Sequence, residues 1–156
     1  MVYIDGAKFW KDGKYLTGFP IIPGDGQKHI LKRLPGYMSA QRAELEAVKY
    51  VLKHYEPVNI YSDSAYVVNS LHLHMVFWVR RGFVDSVGKP LKHAPVLQEL
   101  WALITQNDLQ GKFSIVKIKA HQRCYTEEAR ENALADANAK QAAESVEWLD
   151  PHECLE

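Results

Sequence analysis

Cysteine is nearly missing from this sequence: Cys124 and Cys154 are the only two in 156 residues. Neither belongs to a CxxC pair, which argues against a disulfide framework or a structural zinc site and leaves two free thiols. Net charge is missing as well. The 19 Lys and Arg residues balance 19 Asp and Glu, so bulk charge does not point to a polyanionic partner, and any nucleic-acid contact must be local. No apolar run approaches the roughly 20 residues of a membrane-spanning helix. The opening residues MVYIDG lack the charged-then-apolar layout of a signal peptide. The expectation is a soluble, intracellular protein, cytoplasmic or nuclear, with no membrane partner and no small-molecule cofactor.

What the sequence does have is enough apolar content, 47% of residues, to enclose one ordinary core, and its length suits one domain. Internal repeats and low-complexity tracts are absent from it. Three β-rich runs come first, Val2 to Lys8, Gly13 to Ile22 and Gln27 to Leu34, separated by Lys11-Asp12-Gly13 and Pro23-Gly24-Asp25-Gly26. They predict an antiparallel meander. Ser39 then precedes apolar positions Ala40, Ala43, Ala47, Val48, Val51 and Leu52, a helical stripe with an N-cap that Pro57 ends. Val58 to Tyr61 reads as a short strand, followed by Ser62-Asp63-Ser64 and a helix through Leu71. From His72 to Asn107 the pattern is helical but broken by Gly82, Gly88, Pro90 and Pro95. Phe113 to Lys119 alternates as a strand, and Thr126 to Ser145 is an alanine-rich helix. The order βββαβααβα predicts an α/β fold with a five-stranded mixed sheet, three antiparallel strands then two parallel, flanked by helices. Residues 1–144 form the expected domain. Residues 145–156 are acidic, contain Pro151, and read as a tail or linker. Leu155 and Glu156 match what a common cloning site leaves before a tag, and the chain opens in a strand, so an excised piece of a longer polypeptide with flanking domains is expected.

Four carboxylates sit where carboxylates are costly. Glu44 lies on the apolar stripe of its own helix, one turn before Val48. Asp136 shares a helical face with Ala129, Ala133, Ala139 and Ala143, with Asn132 one turn upstream. Asp5 interrupts the first strand, where aspartate has poor β-propensity, and Asp63 ends the fourth, at the carboxyl end where ligands collect in sheets with crossover helices. Local readings compete with a site: Asp63 as a helix cap, Asp5 as a turn residue, Glu44 and Asp136 in ion pairs with Arg42 or Lys140. Four independent buried ion pairs in one small domain would be expensive. A cluster of acids is instead neutralised by protons or by a hard cation with oxygen ligands, which favours Mg²⁺ or Mn²⁺. His72 and His74, two apart on a helix, diverge and suit no zinc site.

At these positions the sequence resembles a known family. YIDG with Asp5, SAQRAELEAV with Glu44, IYSDSAYVV with Asp63 and ENALADANAK with Asp136 are similar to the four acidic motifs of ribonuclease H. The resemblance runs in order from Val2 to Ala143, and SAQRAEL resembles the retroviral version. The segment LHLHMVFWVRRGFVDSVGKPLKHAPVL resembles the extra helix and basic loop of gammaretrovirus-like and bacterial members.

The resemblance implies a ribonuclease H-like fold and an endonuclease that hydrolyses the RNA strand of RNA·DNA hybrids with two Mg²⁺ ions, Mn²⁺ being a possible substitute. It implies Asp5, Glu44, Asp63 and Asp136 as metal ligands and catalytic residues, with His121 of KAHQRCYTEE as a loop histidine aiding proton transfer or product release. It further implies 2′-hydroxyl reading near Gly6, Ala7, Ser39 and Gln41, phosphate contacts from Arg80, Arg81, Lys89 and Lys92, and a nucleic-acid contact at Asn132.

Several residues depart from the family pattern. Ala120 and Glu131 stand where relatives usually have glycine, Ala7 replaces Ser or Thr, and the glycine-rich second strand has become YLTGFPII, in which Pro20 is expected to weaken or bulge the ladder. Such changes fit relaxed constraint, as in a retroviral domain captured by a host gene. Two other readings therefore stand beside the enzyme: a catalytically silent module binding nucleic acid or protein within a larger host protein, and an integrase-like or resolvase-like nuclease. The first is opposed by the survival of all four acids, the second by the AEL and LAD motifs.

Overall fold

The computed structural model describes residues 1–24, 28–55, 59–107, 113–118, 127–144 and 148–149, with only the helical backbone of 127–134 and 136. The first strand reads as two segments, β1 (Val2–Ile4) and β2 (Ala7–Lys11), both antiparallel to β3 (Lys14–Pro23). Their register is continuous: from Ile4↔Ile21 to Ala7↔Gly18 the two sides advance by equal steps. One strand is therefore interrupted at Asp5-Gly6 without a slip, and it continues to Lys11, past the Lys8 expected from the sequence. Asp12 (φ 52°) and Gly13 (φ 81°) make the connecting turn, the backbone signs that a two-residue hairpin turn requires.

β3 also pairs antiparallel with β4 (Ile30–Leu34), and Phe19↔Lys32, Pro20↔Leu31 and Ile21↔Ile30 follow one another without a bulge. The bulge anticipated at Pro20 does not form. Extending the β1 register places Pro20 opposite Asp5, so the residue that lacks a donor falls where the neighbouring strand is itself interrupted. On the other side, β5 (Asn59–Ser62) runs parallel to β1, and β6 (Ser114–Lys117) runs parallel to β5. Counting β1 and β2 as one, the five strands lie in the order β4, β3, β1/β2, β5, β6. This is the mixed sheet that the element order predicts.

Period-two alternation divides the sheet into two apolar faces. Ile4, Phe19, Ile21 and Leu34 join Ala43, Leu45 and Val48 of α1 (Ala40–His54) and Val96, Leu97 and Leu100 of α4 (Ala94–Gln106) in the main core. On the opposite face Tyr3 and Ile22 bury against Ala135 of α5 (Glu127–Glu144). Gly18 lets α5 settle onto β3, because a Cβ there would collide with the backbone of Ala142 and Ala143.

The helix after β5 does not stop near Leu71. α2 (Ala65–Asn69) passes through a π-turn, Ser70–His74, directly into α3 (Met75–Arg81), and His72 Nε2 lies 2.6 Å from the carbonyl oxygen of Ile115 in β6. Gly82, at φ 73°, ends α3. A tight loop follows, closed by Asp85 accepting from the amides of Val87 and Lys89. Within the stretch read as a tail, Leu149 is buried in the main core and its amide donates to the Arg33 carbonyl, while the Arg33 guanidinium lies over the Trp148 ring.

Candidate metal centre

The strand interruption at Asp5-Gly6 leaves the Asp5 carboxylate at the edge of regular pairing, where Oδ1 accepts from the Gly6 amide at 2.8 Å. The parallel register Val2↔Ile60 and Tyr3↔Tyr61, carried two residues further, brings Asp5 beside Asp63 at the carboxyl ends of adjoining strands. Glu44 arrives from the second turn of α1. That helix begins where Ser39 accepts from the Arg42 amide, the N-cap role expected of it. Gly6 sets how closely the helix approaches, since a Cβ there would run into the Ala40 carbonyl oxygen and lie 3.0 Å from Glu44 Cγ. Asp5, Glu44 and Asp63 consequently offer ligand oxygens that all lie within 4.8 Å of one another.

Asp5 and Glu44 are each only 6% exposed, whereas Asp63 lies at the partly open rim. Glu44 bears the cost of this crowding. Burial first, then the charges of Asp5 and Asp63, push its carboxyl up to about 9, against a single opposing contribution from the Ser62 hydroxyl. Among the described residues the charges acting on it, Asp5 and Asp63, have its own sign, so the ion pair with Arg42 that the sequence left open is not its environment. The Arg42 Nε instead meets Glu46 Oε1 at 3.1 Å. An acid held towards neutrality by burial and by two neighbouring acids is an electrostatic cost that a hard cation with oxygen ligands would relieve.

The other expected residues divide into three groups. Asp136 and Asn132 lie within α5, and Asp136 follows Ala135, which packs on Tyr3 and Ile22; the side chains of both fall outside the described residues, as does all of His121. Gly6 and Ala7 are partly exposed beside Asp5, and Ser39 and exposed Gln41 flank the start of α1. Arg80, Arg81, Lys89 and Lys92 are all exposed, at the end of α3 and on the loop after it.

Two features escaped the sequence reading. Ser62 donates to Glu44 Oε2 at 3.2 Å and accepts from the Ser64 amide at 3.1 Å, bracing the acid against the strand end. The only signal for it was a serine immediately before Asp63. The second is a buried charged network on α1: Lys49 Nζ lies 2.8 Å from Glu46 Oε2 and 2.9 Å from Glu99 Oε2. Its signal was the i,i+4 and i,i+3 spacing of Arg42, Glu46 and Lys49.

The sequence profile of the RNase H family matches residues 1–144. The chain belongs to the ribonuclease H family. This ribonuclease H domain is 37% identical over 150 residues to the Gag-Pol polyprotein of gibbon ape leukemia virus, and 35% identical to that of koala retrovirus, each match covering 94% of the chain. It spans 9% of the length of either polyprotein. Among solved structures, the RNase H domain of prototype foamy virus superposes with a TM-score of 0.72 at 26% identity, covering 92% of this chain and 93% of that one. A foamy viral protease-reverse transcriptase in complex with RNA/DNA hybrid superposes with a TM-score of 0.73 at 26% identity, over 91% of this chain and 19% of that one. The retroviral likeness and the ribonuclease H fold expected from the motifs are thereby established, and no helix among the described residues is long and apolar enough to cross a membrane.

Proposed function

We propose that this ribonuclease H domain is an endonuclease that hydrolyses the RNA strand of RNA·DNA hybrids, with Asp5, Glu44, Asp63 and Asp136 holding two Mg²⁺ ions for which Mn²⁺ can substitute. The observation that carries the proposal is the convergence of Asp5, Glu44 and Asp63 within 4.8 Å, with Glu44 driven towards neutrality by burial and then by its acidic neighbours. Oxygen-only donors in a charge-dense cluster suit a hard divalent cation. When bound, two such ions supply the positive charge that stabilises the attacking and leaving oxygens of an in-line displacement.

The protein's own contribution is placement. The Gly6 amide fixes one oxygen of Asp5 and the Ser62 hydroxyl fixes one of Glu44, so two carboxylates are oriented before substrate arrives. Asp63 is the most open of the three and so the most accessible to an incoming phosphodiester. Water forms the new bond to phosphorus, the bond to the 3′ oxygen breaks, and that oxygen takes up a proton, which leaves 5′-phosphate and 3′-hydroxyl ends. His121 is assigned to this proton traffic or to product release.

Strand choice is assigned to Gly6, Ala7, Ser39 and Gln41, grouped where the interrupted strand meets the start of α1, as readers of 2′-hydroxyls across the minor groove. Asn132 joins them on α5. Arg80, Arg81, Lys89 and Lys92, at the end of α3 and on the loop after it, supply local phosphate neutralisation, which reconciles a neutral chain with a polyanionic substrate. Sugar and phosphate contacts carry little base information, so cutting is largely sequence-independent.

The test is incubation with a labelled RNA·DNA hybrid in Mg²⁺ or Mn²⁺ at low salt, beside duplex RNA, duplex DNA and single strands, with Asp63→Asn as control. Cleavage confined to the RNA strand of the hybrid and abolished in the control supports the proposal. A folded sample that cleaves nothing under either metal refutes it and leaves a silent binding module.

A further inference from the structure

The β2–β3 hairpin carries large aromatic rings that no core uses. Trp10 and Tyr15 are cross-strand partners, with centroids 4.9 Å apart and planes at 81°, yet they are 62% and 53% exposed. Tyr37, on the loop before α1, is 60% exposed. Lys8 links the three elements: its ammonium lies 4.7 Å from the Tyr15 ring centroid and 3.5 Å from the Tyr37 carbonyl oxygen. Lys11 and Lys14 flank the turn, Lys11 already engaged with Glu144 at 3.1 Å.

A paired Trp and Tyr with a lysine ammonium over one ring, exposed on a sheet face, are chemically suited to stacked bases threaded by phosphates. Inside a duplex the faces of the bases are already covered by their neighbours, so the fitting occupant is an unpaired strand. Trp10 stands five residues beyond Asp5 along the same strand. At about 3.3 Å per residue this is roughly 17 Å, on the order of five nucleotide steps of about 3.4 Å.

We infer that Lys8, Trp10, Tyr15 and Tyr37 form a docking site for the single strand that leaves the hybrid, about five nucleotides from the scissile phosphate. This rests on the hybrid-nuclease reading for its position, but the recognition of unpaired nucleic acid stands on the patch alone.

The experiment measures binding by fluorescence anisotropy in the Asp63→Asn background, so that the RNA strand stays intact. Four probes are compared: a blunt hybrid, the same hybrid with a single-stranded tail of about ten nucleotides at one end, the same with the tail at the other end, and a free single-stranded oligonucleotide. The expected result is tighter binding of one tailed hybrid than of the blunt one. Trp10→Ala should weaken the tailed hybrid and the free strand by about five- to a hundredfold, with the blunt hybrid unchanged. Trp10→Phe, which keeps an aromatic face, should restore most of the loss, and Lys8→Gln should lower the salt slope for the free strand by about 0.7. Equal affinity for blunt and tailed hybrids, or an equal loss on both in Trp10→Ala, overturns the inference. If no hybrid is bound at all, the nuclease reading fails, while the free-strand probe still decides whether the patch takes unpaired nucleic acid.

Discussion

The Ser62 hydroxyl donates to Glu44 across 3.2 Å, and among the described residues it is what pulls that carboxyl back towards its ordinary range. Desolvation, Asp5 and Asp63 all act the other way, and they prevail. With the folded value near 9 and the ordinary value 4.5, the folded state retains a proton that the unfolded chain has released. The contribution of Glu44 to the stability of the metal-free domain is therefore fully present below about pH 4.5 and declines as pH rises towards 9, by at most about 1.4 kcal/mol per pH unit. Urea denaturation in chelator between pH 6 and 8.5 should show this downward slope, and Glu44→Gln should flatten it. A wild-type profile without slope would mean that the acid cluster is relieved by some other means.

The same proton links pH to metal. A cation must displace it from Glu44, so Mg²⁺ binding should release a proton at neutral pH and tighten as pH rises towards 9. Calorimetric titration in two buffers of different ionisation enthalpy would count that proton. Metal at a hundredfold excess over its dissociation constant should add about 2.7 kcal/mol to stability. Binding without proton release would place the ion away from Glu44.

Gly6→Ala tests the approach of α1 to the interrupted strand. Its Cβ would meet the Ala40 carbonyl oxygen, a backbone atom that cannot rotate aside. Overpacking of this kind costs about 1–3 kcal/mol. Because the helix that must move carries Glu44, metal affinity should fall at least about tenfold even at temperatures where the variant stays folded. Circular dichroism paired with calorimetric titration separates the two effects. Metal affinity unchanged at reduced stability would show that α1 yields without moving the acid.

Periodicity made the order of elements and the five strands legible, because each strand alternates or is uniformly apolar and each turn carries its Gly or Pro. The convergence of Asp5, Glu44 and Asp63 was equally legible, since a carboxylate on an apolar face or at a strand end stands out against its neighbours. The join of α2 to α3 was not. A π-turn has no sequence signature of its own, and this one is tied to β6 by a contact between His72 and Ile115, far apart in the chain. Ser62 was equally silent, because serine before a helix reads as a cap whether or not it also holds an acid. The tolerance of Pro20 depends on register with Asp5, which composition cannot reveal.

Glu46 is completely buried between Arg42 and Lys49. Removing it strands Lys49, whose side chain is 1% exposed, with Glu99 as its remaining ion-pair partner at 2.9 Å. Glu46→Ala should cost about 3–5 kcal/mol, read as a fall in the urea midpoint with the slope unchanged. Glu46→Leu combined with Lys49→Met removes both charges of the shorter pair and should be less destabilising than Glu46→Ala alone. If the double variant is the worse of the two, the pair contributes net stability rather than merely avoiding a penalty.

Arg80 and Arg81 end α3, and Lys89 and Lys92 lie on the loop beyond it, all four exposed. If they neutralise phosphates, each truncation to alanine should weaken hybrid binding uniformly across sequences and lower the slope of log K against log salt by about 1. The turnover rate at saturating hybrid should stay within about twofold, because these groups would bind ground state and transition state alike. Stability should move by less than about 0.5 kcal/mol, as for other surface substitutions. The measurement is a salt titration of hybrid binding for each single variant and for the quadruple one. A quadruple variant with the wild-type slope would leave this neutral chain holding its polyanion by some other surface, and the hairpin lysines Lys8, Lys11 and Lys14 would be the next place to look.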